Sequence, residues 1–250
     1  MGGNLRTSLN NGLNNGLRQS ISGGVASGGG AASIVTTGLS LHLDAGNSDS
    51  YSGSGTDWLD LTSNNVDFTL TNGPVYNSGF SGYFTFDGSD DYSDTSSSYA
   101  NFGTNPFTIE IWHRTHTADD LESILSQNTS GPGSTNWQID FDTQKLGFNG
   151  GDSVRGSAST NSLNVWKQIV FVREGTATNQ FKIYLNGSLD TTGTHSSNLS
   201  DAGPYKIARN RGGGKYFDGD ISIIRIYNNK ALSSSEVTQN FNANKGRYSL

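Results

Sequence analysis

From Ile34 onward, short apolar runs alternate with clusters of Gly, Asn, Ser and Asp, the cadence of many short strands joined by turns. Gly38 to Asp44 places Leu39, Leu41 and Leu43 on one face, and Tyr83 to Phe86 pairs Phe84 with Phe86. Phe107 to His113 sets Phe107, Ile109 and Ile111 against Thr108, Glu110 and Trp112. Trp137, Ile139 and Phe141 oppose Gln138, Asp140 and Asp142. Trp166 to Arg173 is nearly continuous and apolar, as a central strand requires. Phe181, Ile183 and Leu185 alternate, and Asn186-Gly187 supplies the pair of positive φ angles that a tight hairpin needs. Ile221 to Tyr227 is the last long strand. The period of two predicts an all-β fold of two antiparallel sheets packed face to face, with Trp112, Trp166, Phe171 and Ile223 buried between them.

One helix is predicted, near the C-terminus. Ser233-Ser234-Ser235-Glu236 spells a capping box, and Val237 and Phe241 share a face that can pin the helix to the sandwich.

The first 33 residues differ. Leu5, Leu9, Leu13, Leu17 and Ile21 recur at every fourth position, Asn10-Asn11-Gly12-Leu13 is repeated as Asn14-Asn15-Gly16-Leu17, and a Gly-rich run follows to Gly30. Interspersed Gly and Asn oppose a stable isolated helix. Residues 1–33 are therefore expected to be an N-terminal arm and linker, and residues 34–250 the sandwich. The arm reads either as a free tail or as a docking segment, with Leu5, Leu9, Leu13, Leu17 and Ile21 as anchors and Arg6 and Arg18 bonding carbonyls or carboxylates.

Composition narrows the rest. A length of 250 residues suits one large all-β domain plus an arm. Hydrophobic residues make up 32%, enough for one core, and no run reaches the ~18 apolar residues of a membrane-spanning helix. The net charge of -6 comes without a basic stripe, so no nucleic-acid partner is expected. Cysteine is absent, which excludes disulfides and thiolate metal sites. Met1 to Asn15 lacks the pattern of a signal peptide, implying export by another route, such as lysis, or a replaced start. The glycosylation patterns at Asn128, Asn186 and Asn198 then read as chance matches.

Three segments in order carry a family resemblance. Phe84-Thr85-Phe86-Asp87-Gly88-Ser89-Asp90-Asp91-Tyr92 leads to Phe107-Thr108-Ile109-Glu110-Ile111-Trp112. Trp166-Lys167-Gln168-Ile169-Val170-Phe171-Val172 leads to Tyr184-Leu185-Asn186-Gly187. Phe217-Asp218-Gly219-Asp220-Ile221 leads through Arg225-Ile226-Tyr227-Asn228 to Ala231-Leu232-Ser233. Together with Leu41 to Asn47 and Trp58 to Thr62, they resemble the LamG-like, concanavalin A-like lectin/glucanase family over residues 39–245. The resemblance implies an antiparallel jelly-roll whose loops or concave face bind ligands. Ser222 stands where the family often has Asp, so the resemblance implies no calcium site that depends on that carboxylate. The cadence is most similar to copies in virion proteins of tailed bacteriophages, where such domains serve as decoration, fibre or adhesion modules.

Candidate chemistry points to binding. Glycosidases need two positioned carboxylates. The Glu-x-Asp-x-x-Glu strand of related jelly-roll glucanases is missing here, and the glutamates are Glu110, Glu122, Glu174 and Glu236 alone. Asp140 and Asp142 share a strand face that reads as a solvated edge. His113 and His116 fall on opposite faces of a strand, and His42 and His195 have no neighbouring ligand, so no zinc site is expected. Asp44, Asp60 and Asp87 are hard oxygen donors in loops and the candidate ligands of a structural calcium, although Asp also favours turns for its geometry. Trp58, Tyr99, Trp137 and Tyr216 lie in or beside polar loops and are the candidate sugar-stacking residues, with core packing as the competing reading for each. No cofactor is required. The sequence thus predicts a non-enzymatic virion module that docks through its arm, on other virion proteins or symmetry mates, and displays a sandwich to a cell-surface glycan. A secreted or cell-surface carbohydrate-binding module is the alternative, and a glycoside hydrolase the third reading.

Overall fold

A computed structural model of the protein describes residues 33–96, 99, 101–128 and 135–250. The arm residues Leu5, Arg6, Leu9, Leu13, Leu17, Arg18 and Ile21 lie outside the described residues. Strands follow one another as β1 (Leu39–Asp44), β2 (Asp57–Trp58), β3 (Phe68–Thr71), β4 (Val75–Asn77), β5 (Tyr83–Asp87), β6 (Tyr92–Thr95), β7 (Phe107–Thr115) and β8 (Ser123–Gln127). They continue as β9 (Trp137–Asp142), β10 (Lys145–Gly150), β11 (Asp152–Arg155), β12 (Trp166–Arg173), β13 (Phe181–Leu185), β14 (Ser188–Gly193), β15 (Tyr205–Ile207) and β16 (Asp218–Asn228), before α1 (Ser234–Asn244). Among the described residues, no helix is long and apolar enough to cross a membrane.

The strands form two antiparallel sheets. The first has the order β14-β13-β12-β7-β16-β5-β4, with β1 also pairing β16; the second runs β11-β10-β9-β8-β15-β6-β3-β2. Their inner faces supply one apolar layer, including Phe84, Phe107, Ile111, Trp137, Phe148, Phe171, Tyr205 and Ile226.

The outer face of the first sheet is also apolar, which explains why β12 is buried at every position. Ile169 and Phe171 point into the sandwich, while Val170 and Val172 join Leu232 and Val237 beneath α1. This corrects the sequence expectation for three residues. Phe171 lies between the sheets, but Trp112, Trp166 and Ile223 cluster with Tyr248 on the outer face, under the C-terminal segment. For Ile223 the cause is a bulge in β16: the register against β7 shifts between Ile221 and Ile223. One extra residue reverses the alternation, so Ile221 and Ile224 both face the inner core.

The capping box forms as predicted. Ser233 Oγ accepts the Glu236 N–H at 3.3 Å, and Glu236 Oε2 accepts the Ser233 N–H at 2.8 Å. Val237 is fully buried and the Phe241 ring stacks on Trp112 at 5.8 Å. Ser233→Ala is expected to lower the unfolding free energy by about 1 kcal/mol, read from urea denaturation. Asn186 and Gly187 adopt φ of 49° and 77°, completing the tight β13–β14 turn. Gly187 is needed twice over, because a Cβ there would meet the Phe241 side chain at 3.0 Å.

A buried polar cluster ties α1 to the sheet. Glu110 Oε1 accepts from Trp112 Nε1 (2.9 Å), Gln168 Nε2 (2.9 Å) and Arg225 (3.0 Å), and its Oε2 accepts from Asn240 Nδ2 (2.7 Å). Asn240 also receives the Val35 N–H at 2.8 Å, anchoring the start of the sandwich to the same helix.

Candidate functional site

At one end of the sandwich, three loops converge. They are the β5–β6 turn, the segment 116–122 after β7, and the segment 208–217 between β15 and β16. The turn is organised by Asp87, whose Oδ1 accepts the N–H groups of Ser89 (2.8 Å), Asp90 (3.3 Å) and Asp91 (3.4 Å). Those bonds hold the Asp87 carboxyl below its usual range. Between the loops lies a cleft of about 290 Å³, lined by Gly88, Ser89, Asp119, Glu122, Gly214, Lys215 and Tyr216. A neighbouring cleft, lined by Leu121, Gln138, Asn149, Asn210, Arg211 and Gly212, shares two of these loops.

Glu122 forms the floor of the first cleft. It is buried, and that burial pushes its carboxyl up to about 7. Thr117 Oγ1 lies 3.2 and 3.4 Å from the two oxygens of Glu122 and 3.4 Å from Asp218 Oδ2. His116 spans two carboxylates, with Nδ1 at 3.1 Å from Asp218 and Nε2 at 3.0 Å from Asp220. Arg114 Nε closes the chain on Asp220 at 2.6 Å. The aromatic wall is also braced: Arg209 lies 4.7 Å from the Tyr92 ring centre and 5.7 Å from that of Tyr216.

The 208–217 loop is stitched to the outer face of the second sheet. Ser126 Oγ donates to the Arg209 carbonyl (2.8 Å), and Arg211 bonds Gln138 through its N–H (3.3 Å) and Asn136 through its guanidinium (3.0 Å). Beneath it Asp140 is fully buried, held by Arg155 and Gln138, with its carboxyl raised by burial. Asp140 is therefore an internal ion-pair partner, which corrects its reading as part of a solvated edge. Leu121 rims the second cleft, exposed and at φ 72°.

The four candidate stacking residues separate. Tyr216 lines the cleft. Tyr99 is half-buried elsewhere, in a polar cleft with Asn64, Asn65, Asp67 and Thr95, its hydroxyl donating to the Ser40 carbonyl at 3.0 Å. Trp58 and Trp137 are corrected: both are fully buried in the core, against Phe84 at 4.8 Å and Phe148 at 5.4 Å respectively. An indole occupied on both faces by core side chains offers none to a sugar. The proposed calcium set is not assembled either. Asp44 is clamped by Arg247 at 2.8 and 3.0 Å. Asp60 accepts from the His42, Thr62 and Val66 N–H groups, shaping its own loop. Asp87 gathers instead with Asp90 and Asp91, whose oxygens lie within 4.8 Å of one another and could face one cation. His113 is buried inside β7 against Thr115, and His116 lies beyond the strand end. Sequence reasoning missed Thr117, Glu122 and Asp218 as a group, because they come from segments a hundred residues apart and follow no motif.

The family model of the concanavalin A-like lectin/glucanases superfamily matches residues 87–238. The chain belongs to this superfamily. No curated protein matches it by sequence. Among solved structures, domain 4 of AbnA, a GH43 extracellular arabinanase from Geobacillus stearothermophilus in complex with arabinotriose, is similar at a TM-score of 0.63 and 18% identity, covering 80% of this chain and 96% of that one. The botulinum neurotoxin serotype G binding domain is similar at 0.59 and 15%, covering 80% and 50%. A Trypanosoma rangeli sialidase is similar at 0.62 and 18%, covering 89% and 35%. The chain thus spans about half of the toxin domain and a third of the sialidase. At these identities the likeness establishes the jelly-roll, and function rests on the site.

Proposed function

We propose that this superfamily member is a non-enzymatic glycan-binding module, taking a sugar in the cleft walled by Tyr216, and that its arm carries it as an adhesive or decorating domain of a virion. The observation that carries the binding reading is the combination of a braced aromatic wall with polar groups in one cleft: Tyr216 held by Arg209, lining it together with Glu122, Asp119, Lys215 and Ser89. Sugars need one apolar face and a few oriented hydrogen-bond partners. Relatives of the fold named with arabinotriose and as a toxin binding domain are consistent with this. The virion setting rests on the family resemblance and on the arm-plus-sandwich layout.

The geometry at Glu122 argues against an inverting hydrolase. A raised carboxyl beside a second carboxylate suggests an acid and base, but an inverting pair must hold a water between them. Here the Thr117 hydroxyl occupies that space, 3.2 Å from Glu122 and 3.4 Å from Asp218, able to donate to either.

A glycan array followed by calorimetry tests the reading. Tyr216→Ala is expected to weaken the best ligand at least about tenfold, or ~1.4 kcal/mol, with no new reducing ends from any glycan. Unchanged affinity would place the site elsewhere, and turnover abolished by Glu122→Gln would make the chain a hydrolase. For the arm, a chain lacking residues 1–33 should fail to enter its particle, whereas normal occupancy would assign attachment to the sandwich.

A further inference from the structure

β15 lies between β6 and β8 in the second sheet. Lys206, at its centre, is paired across one side with Asp94 and across the other with Ser126, two residues before Asn128. Its Nζ reaches Asn128 Oδ1 at 2.7 Å. The amide is fixed at its other end as well, since Asn128 Nδ2 donates to the Arg211 carbonyl at 2.5 Å. Asn128 is only 3% exposed. An amine is thus hydrogen-bonded to the oxygen of a buried carboxamide that is fixed at both ends, and the cross-strand neighbour of Lys206 on β6 is the carboxylate Asp94.

We propose that Lys206 and Asn128 join in an intramolecular isopeptide bond, with Asp94 as the proton carrier. In the reaction Asp94 accepts a proton from the Lys206 ammonium. The freed amine attacks Asn128 Cγ, forming the Nζ–Cγ bond. Nδ2 takes that proton back from Asp94 and the Cγ–Nδ2 bond breaks, while the second proton of Nζ passes to the Asp94 carboxylate and on to the departing ammonia, which leaves as ammonium. No oxidant or other reactant is needed, and the products are one secondary amide and one ammonium ion.

The surroundings favour each step. Burial lowers the Lys206 ammonium from its usual range, Arg209 lowers it further, and Asp94 and Asp201 oppose this. Burial raises the Asp94 carboxyl, with Lys206 and Arg209 pulling it down, which favours it as the acceptor of a proton from the neighbouring ammonium. Holding the amine and the carboxamide in hydrogen-bond contact supplies the proximity that an uncatalysed amine–amide encounter lacks. The bond would clamp the end of β8 to β15 and close a span of 78 residues, where β8 leads into the second cleft's strand β9. It does not depend on the glycan reading.

The purified full-length protein, denatured and weighed intact, is expected to be lighter than its sequence by one ammonia. Proteolysis should release one branched peptide containing both Lys206 and Asn128. Lys206→Arg should restore the full mass, and Asp94→Asn should slow or abolish the linkage while leaving the circular dichroism of the sandwich unchanged. The inference is overturned if the wild-type protein keeps its full mass after prolonged incubation at mildly alkaline pH. It is equally overturned if the mass change is that of Asn128 deamidation with linear peptides. Linkage at the wild-type rate in Asp94→Asn would remove Asp94 from the reaction.

Discussion

Glu110→Gln is expected to lower the free energy of unfolding by about 3–5 kcal/mol, among the largest effects of any conservative substitution in this chain. Glu110 and Arg225 are both fully buried, cross-strand partners on β7 and β16, bonded at 3.0 Å. Removing the negative charge leaves the guanidinium in a low-dielectric setting with no counter-ion. It also weakens three further bonds, from Trp112, Gln168 and Asn240. Asn240 belongs to α1, so the helix should loosen with the pair. Urea denaturation by circular dichroism measures the loss, and near-ultraviolet dichroism should report Trp112 losing its stacked contacts with Phe241 and Tyr248. A change below about 1 kcal/mol would mean that the cluster is dispensable. Glycan binding at the distant cleft should survive under native conditions, which separates this residue from Glu122.

Acidification should unfold the protein well before its carboxylates are fully protonated. Burial lowers His195 to about 4 and His42 to about 3, and depresses the fully buried His113 as well. Each is neutral in the folded chain and titrates near 6.5 when unfolded. The unfolded state therefore binds more protons below that value, so stability is complete above about pH 6.5 and falls as the pH drops toward the folded-state values. The slope is about 1.4 kcal/mol per pH unit for each histidine, or roughly 3 kcal/mol for His195 alone by pH 4. Glu122 works in the opposite direction: its carboxyl, raised to about 7, favours the folded state at lower pH. The three histidines outweigh it. His195 packs between Phe148 at 5.0 Å and Phe181 at 5.4 Å, so His195→Phe fits the site. That variant should flatten the pH dependence measured by urea unfolding between neutral pH and pH 4. An unchanged slope would show that His195 is not the group responsible.

What the sequence determined was whatever depends on local period and local chemistry. Alternation located β1, β5, β7, β9 and β13, because apolar residues on one face of a strand leave a period of two, and continuous apolar runs located β12 and β16. The capping box and Asn186-Gly187 were legible for the same reason, each being a contact within a few residues. Other strands carry too few apolar positions to show a period: Lys145–Gly150 has two, and Tyr205–Ile207 is three residues long. The β9–β10 turn was invisible because Thr143 and Gln144 take φ of 49° and 58° without Gly or Asn, steadied by Asp120 accepting the Thr143 N–H at 2.8 Å.

Only the tertiary structure decided which side of a strand faces what. Trp112, Trp166 and Ile223 look like inter-sheet core in one dimension, yet the C-terminal segment gives the first sheet a second apolar face, and the β16 bulge turns Ile223 toward it. Trp58 and Trp137 stand beside polar loops in sequence but inside the core in space. The cleft, too, was not written locally. Thr117, Glu122, Tyr216 and Asp218 meet because β7 and β16 are neighbours and their ends deliver two loops to one rim. Lys206 and Asn128 meet because β15 is inserted between β6 and β8. Strand order is set by long-range pairing, which leaves no local period behind; a single sequence therefore shows the strands and the residues, but not which of them will touch.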